Sequence, residues 1–248
     1  MYRSAIKQLG EAGINLFKAL WYIVRGKINW HEVALQIVKT GIGSLFIVAI
    51  TSFFVGFVLA LQMAKALMDY GAENYLGAAI STTAIRELGP IISAVVVSGR
   101  VGTAISAEIG SMKSSEQIDA LIVLGIDPVR YLIVPRLLSS AIITPLLSSL
   151  STFLIIISGM ILANAAINVN FDVYMDTVRT ANTMTDIFVM LLKGCIFGIV
   201  IAIVATTAGL QVKGGSEAVG NATIKTAVWD FILIFILNYF ISSCFFRL

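Results

Sequence analysis

Between Leu137 and Ile167 the chain carries no charged residue, and that one run decides the solvent. A helix needs ~20 apolar residues to cross a hydrocarbon core. Inside hydrocarbon each backbone N–H and C=O must be satisfied without water, which leaves helices and closed barrels as the spanning structures. Apolar runs long enough for helices recur over 41–63, 76–112, 131–165, 187–210 and 226–246. With 58% hydrophobic and 12% charged residues in 248 positions, and a mean hydropathy of +0.94, the composition is too apolar for an ordinary soluble domain. The expected fold is an all-α membrane protein, one domain over 1–248. It comprises an N-terminal interfacial amphipathic helix, five transmembrane helices and a short helix at a membrane face, with Pro145 bending or locally breaking the third span.

The interfacial helix occupies residues 1–30. Lys7, Glu11, Lys18 and Arg25 recur at intervals of four and seven, while Ile6, Leu9, Leu16, Phe17, Leu20 and Val24 take the other side, as an amphipathic helix requires. Trp21, Tyr22 and Trp30 beside lysines and arginines suit the headgroup region; packing against a soluble partner is the alternative. The N-terminal residues lack a short apolar core followed by a small-residue cleavage site, so no removable signal peptide is expected.

Residues 114–125 form a compact unit. Ser114 and Gln117 have the spacing of a capping box, Ile118, Leu121, Ile122 and Leu124 make an apolar side, and Gly125 with Asp127-Pro128 supplies the stop. At ~1.5 Å per residue such a helix reaches only ~15 Å, too short to span. Lysines and arginines favour the cytoplasmic side. An inside N-terminus puts Arg3, Lys7, Lys18, Arg25, Lys27, Lys39, Lys113, Arg130, Arg136, Lys213 and Lys225 in the cytosol, together with this short helix. Lys65, Arg179, Arg247 and an aspartate-bearing loop (Asp172, Asp176, Asp186) fall outside, with Lys193 near the outer end of its span.

The second span is the odd one. Arg86, Glu87, Arg100 and Glu108 interrupt it, and each charge near the bilayer centre costs ~2.5–3.5 kcal/mol on insertion scales unless relieved. Arg100 has no acidic residue three or four positions away, and Arg86 and Glu87 look equally isolated, so partners must come from another helix, another chain or a lipid. Arg100 and Glu108 are read as structural intramembrane charges, and Arg86 and Glu87 as lining a wet or lipid-accessible cavity. Pro90, Ala94, Ser98, Gly102, Ser106 and Gly110 form a small-residue ridge at four-residue intervals; Gly194 and Gly198 make a weaker helix-contact signal.

Catalysis has little support. His31, the sole histidine, precedes the first span and has no second histidine or cysteine at ligand spacing, so no metal site is expected, and the serines and threonines of the membrane domain lack a histidine base there. Cys195 and Cys244 lie in apolar stretches and read as packing residues. No G-x-x-x-x-G-K-S/T motif occurs, so any ATP hydrolysis belongs to another polypeptide. The net charge of +3 is dispersed, unlike the clustered basic face of a nucleic-acid binder.

The segments Arg86-Glu87-Leu88-Gly89-Pro90, Ser98-Gly99-Arg100, Ala107-Glu108-Ile109-Gly110-Ser111-Met112, Glu116-Gln117-Ile118-Asp119-Ala120-Leu121, Gly125-Ile126-Asp127-Pro128 and Pro135-Arg136 closely resemble the signature of MlaE/YrbE permeases, membrane subunits of MCE-type ABC lipid transporters. The resemblance implies a homodimer coupled to a cytoplasmic ABC ATPase, which binds the ATP and Mg, and to an MCE-domain protein on the periplasmic side. It leaves room for a regulatory subunit. Phospholipid is the implied substrate, and the permease itself binds no cofactor. The 114–125 helix becomes a coupling helix with Glu116, Gln117, Asp119 and Leu121 as ATPase contacts, and Arg86, Glu87 and Leu88 become lipid-cavity or gating residues. Ser98 departs from the alanine common in relatives. The implied location is the bacterial inner membrane, or the plastid inner envelope in a plastid-bearing organism. Two other classes fit the composition: an ion or small-solute channel or carrier, and a non-transporting scaffold.

Overall fold

The computed structural model describes residues 2–26 and 28–246, with side chains from residue 10 onward. Lys27 and Arg247 of the orientation reading, and the side chains of Arg3, Ile6, Lys7 and Leu9, lie outside the described residues. Within them the chain is helical: α1 (Tyr2–Val24), α2 (Trp30–Met68), α3 (Leu76–Thr83), α4 (Gly89–Val97), α5 (Thr103–Ser114), α6 (Gln117–Val123), α7 (Val134–Ile167), α8 (Phe171–Ala181), α9 (Met184–Leu210) and α10 (Ser216–Phe245). Five stretches are long and apolar enough to cross a membrane: α2, the run from Glu73 to Ser114, the run from Val129 to Ile167, α9 and α10.

The helices outrun the apolar segments. α2 starts at Trp30 with Glu32 in its first turn, and α10 at Ser216 with Glu217 in its first turn. Acidic residues there complement the helix dipole, so these helices continue beyond the stretch that hydropathy alone marks. Asp230, near the start of the apolar segment 226–246, therefore sits mid-helix. α7 passes through Pro145 without interruption.

Three wide π-turns interrupt the helices, at Ala84–Leu88, Ser98–Gly102 and Val129–Ile133. Two have an evident cause. Proline lacks an N–H and its ring clashes with the carbonyl four residues back. Pro90 and Pro135 each stand two residues beyond a π-turn, and Gly89 N–H reaches back five residues to Ala84 as Val134 does to Val129. The widened turn accommodates the ring.

The chain divides into two compact units. One comprises Met1–Ser44, Val95–Ile143 and Cys195–Ile236; the other comprises Leu45–Ala94, Thr144–Gly194 and Leu237–Leu248. In the first, Ala12 and Ala19 of α1 pack with Ile133, Leu137, Ala202 and Ile203. Asn15 donates to Thr207 at 3.2 Å and Tyr22 to Asp127 at 2.6 Å. The Asp127 carboxylate, accepting that hydrogen bond, holds the Tyr22 hydroxyl above its usual range. The small-residue ridge is used here: a Cβ on Gly102 or Gly110 would come within 2.9 Å of Asp230 Oδ2 or 3.0 Å of Val212.

In the second unit, Ala60, Leu76, Ile80, Ala84, Ile155 and Tyr174 form the core. α8 corrects the expected outer loop. Asn170 caps it by accepting from Asp172 N–H at 3.1 Å, and Tyr174 is fully buried with its hydroxyl donating to Ile156 C=O. Gly77 permits this approach, since a Cβ there would fall 2.5 Å from Tyr174 O.

The expected Ser114–Gln117 capping box does not form. Ser114 is the last residue of α5 and cannot also hold the extended backbone of an N-cap. The chain turns instead through Glu116 in the left-handed region (φ 59), Ser114 donates to Gly214 C=O at 2.7 Å, and Gln117 donates to Ser115 Oγ at 3.0 Å. The other end follows the sequence: Gly125 has φ +73, its N–H meets Ile122 C=O at 3.0 Å, and Ile126 N–H meets Leu121 C=O at 2.9 Å. That is a Schellman close. Gly125→Ala is expected to cost about 1 kcal/mol through the left-handed Cβ penalty, measurable as a lower unfolding midpoint in detergent.

Candidate functional site

In the second unit, the first π-turn carries Arg86, Glu87 and Leu88, and the turn explains their surroundings. Pro90 cannot donate to the Arg86 carbonyl, and the Lys193 ammonium of α9 does so instead at 2.6 Å. Lys193 is fully buried. Its other contacts are Ser242 Oγ at 2.6 Å and Glu87 Oε2 at 3.2 Å, so all three of its donors are used. Glu87 also accepts from Asn238 and Ser242, each at 2.5 Å.

Arg86 Nε pairs with Asp186 Oδ1 at 2.8 Å, and its guanidinium lies 4.5 Å from the Phe246 ring centre. Asp186 is 1% exposed. Its second oxygen accepts the N–H and hydroxyl of Thr183 at 2.8 and 2.7 Å, capping the start of α9. The apparent isolation of Arg86 and Glu87 is thus corrected. Charges on α9 meet both, in two opposite-sign pairs that offset the cost of burial.

Leu88 lines an apolar groove of about 310 Å³ with Phe54, Val55, Val58, Leu59 and Gln62. Arg86 and Glu87 are half-buried, leaving part of each side chain accessible.

The first unit holds the other charges. Glu108 is bridged by Lys39 at 2.9 Å and by the buried Arg136 at 3.1 Å, and Arg136 also donates to Leu132 C=O at 2.9 Å. Arg100 does not join that network. It is exposed, donates to Ser44 Oγ at 3.3 Å, and lies where a Cβ on Gly43 would stand, 2.1 Å from its guanidinium. Asp230, fully buried, accepts from Ser98 Oγ at 2.8 Å, so the hydroxyl that distinguishes this sequence has a partner.

On the short helix, Glu116, Gln117 and Asp119 are exposed and Leu121 half-buried. Asp119 pairs with Lys113 at 2.7 Å. Ile118 turns inward at 3% exposure, while Ile122, Val123 and Leu124 stand out at 55, 87 and 73%.

Sequence reasoning missed Asp186, Lys193, Asn238 and Ser242 as partners of the second-span charges. Lys193 had a usable signal: a lone cation in one span and a lone anion in another each carry a desolvation cost that pairing removes. Asn238 and Ser242, neutral in a polar-tolerant helix, carried none.

These features define a polytopic α-helical membrane protein whose helices are tied by ion pairs on residues within its spans. The family described as Permease MlaE matches residues 33–244; the chain belongs to that family. A probable ABC transporter permease protein of Synechocystis is 37% identical over 91% of this chain and 86% of its own length. The chloroplastic protein Trigalactosyldiacylglycerol 1 of Arabidopsis thaliana is 34% identical over 91% of this chain and 64% of its own length. A probable ABC transporter permease protein of Rickettsia typhi is 34% identical over 97% and 93%.

Proposed function

We propose that this chain is the permease subunit of an ATP-driven phospholipid transporter. Two copies work with a cytoplasmic ABC ATPase that binds ATP and Mg, and pass lipid between the inner membrane and an MCE-domain partner. The observation carrying this reading is the apolar tip of α6: three large apolar side chains stand in the open beside exposed acids. An apolar patch with a charged rim is the chemistry of a docking surface. The relatives named as ABC transporter permeases supply the class of partner, and the one named for a galactolipid favours a lipid substrate. Glu116, Gln117, Asp119 and Leu121 are assigned to ATPase coupling.

In this scheme the groove at Leu88 takes acyl chain, and Arg86 and Glu87 sit beside it as headgroup or gating residues. Arg100 and Glu108 stay structural. α2 and α10, the least buried of the five spanning helices, supply the faces on which a second copy and lipid meet. ATP closure of the partner biases the cavity through α6, because a permease without an energy source can only equilibrate its substrate.

Reversing Glu116 and Asp119 together to Arg should release the ATPase on co-purification and slow lipid transfer about tenfold, the effect of ~1.4 kcal/mol lost at an interface. Unchanged co-purification and transfer would remove α6 from the coupling role.

A further inference from the structure

α1 carries a second, separate groove. An open groove of about 680 Å³ is lined by Gly10, Gly13, Ile14, Phe17, Lys18, Trp21 and the Tyr22–Asp127 contact. That is the size of a small-molecule site. Two glycines on one exposed helix need a reason, since each weakens a helix by about 0.5–1 kcal/mol relative to alanine. Packing within the chain does not provide it: a Cβ built on either glycine meets nothing within 4 Å. The groove offers one, because both glycines line it and a wall without side chains leaves it wider.

The walls are apolar and the surroundings basic. Phe17 and Trp21 are exposed large apolar residues, and the Arg25 guanidinium stacks 3.7 Å from the Trp21 ring centre. Arg25 and Arg130 are both near enough to act electrostatically on the Tyr22 hydroxyl. Asp127 is the one carboxylate in the lining. Both its oxygens are engaged, one by the Tyr22 hydroxyl at 2.6 Å and the other by Val129 N–H at 2.8 Å.

We infer that this groove is a resident site for one anionic phospholipid, its acyl chain lying on Gly10, Gly13 and Phe17 and its phosphate held by Lys18 and Arg25. The apolar walls select lipid over free phosphate, and the cations select an anionic headgroup over a zwitterionic one. The site is distinct from the Leu88 groove and stands without the transport reading. A lipid there would brace α1 against the turn that joins α6 to α7, making that contact sensitive to the charge of the surrounding bilayer.

Trp21 is a built-in reporter. In the full-length chain carrying Trp30→Phe and Trp229→Phe, reconstituted in phosphatidylcholine nanodiscs, brominated phosphatidylglycerol should quench Trp21 in a saturable step at low mole fraction. Brominated phosphatidylcholine should quench it only in proportion to its amount. Gly13→Leu, which favours the helix, should abolish the saturable step without lowering the unfolding midpoint. Lys18→Ala should weaken it about five-fold, one basic residue's share of attraction to an anionic surface. Proportional quenching by both lipids, equal midpoints for both, or a curve unmoved by both Gly13→Leu and Lys18→Ala would overturn the assignment.

Discussion

Lys193→Met will cost the folded protein about 2–3 kcal/mol, less than the full penalty for stranding a buried charge because Glu87, the partner left behind, keeps 35% of its side chain exposed. The side chain is fully buried and all three donors are occupied. Removing it leaves the Arg86 carbonyl without this donor and takes one donor each from Glu87 and Ser242. The Arg86 carbonyl has no alternative from Pro90, and Glu87 keeps only the Asn238 and Ser242 hydrogen bonds. Adding Glu87→Gln should recover much of the loss, since an amide in that place no longer carries a desolvated charge, and the double variant should be less damaged than the sum of the singles. Unfolding midpoints in one detergent, read for wild type, both singles and the double, complete the cycle. Additive losses would show that the 3.2 Å approach contributes no coupling, and an unharmed Lys193→Met would show that the ammonium carries no stability.

The same residues show how far one dimension reaches. That Arg86 and Glu87 are costly is readable in the sequence, because hydropathy prices a charge wherever it falls. Which groups relieve that cost is not, for Asp186 and Lys193 lie about a hundred positions away and reach the cluster only through tertiary packing. The π-turn beneath them was half legible. Pro90 and Pro135 announce a lost donor, but the third wide turn, at Ser98–Gly102, has no proline and no such sign.

Helix ends are less legible in the sequence than the spans themselves. A hydropathy window stops where hydrocarbon stops, whereas a helix continues as long as its residues tolerate it, so α2 and α10 begin outside their apolar segments. α8 was readable in principle, since Phe171, Tyr174 and Val178 share one helical face behind an Asn170 cap. Its aspartates suggest a loop by composition, although Asp172 falls in the first helical turn, where an acid is favourable. For the short helix, the glycine stop was legible because Gly125 needs a conformation that few other residues adopt. The start was not, because Ser114 was already committed to α5.

Gly56→Leu will prevent the second unit from assembling, and Gly56→Ala will destabilise it by about 2–3 kcal/mol. The reason is the closeness of α2 to α7. A Cβ on Gly56 would lie 1.9 Å from Ser158 Oγ, 2.6 Å from Ile155 O and 2.8 Å from Ile155 Cα. A hydroxyl can rotate away, but two backbone atoms of a helix cannot, so the helices must separate and release Ala60 and Ile155 from the core they share. Ser158→Gly should therefore rescue Gly56→Ala only in part, removing the nearest contact and leaving the backbone ones. Gly220 is the matched control. It is also helical, yet a Cβ there meets nothing within 4 Å, so Gly220→Ala should be neutral or stabilising by up to about 1 kcal/mol. Thermal midpoints of the two alanine variants in one detergent should move in opposite directions or differ by the full cost of the clash. Equal midpoints would mean that close approach at Gly56 does not hold α2 to α7.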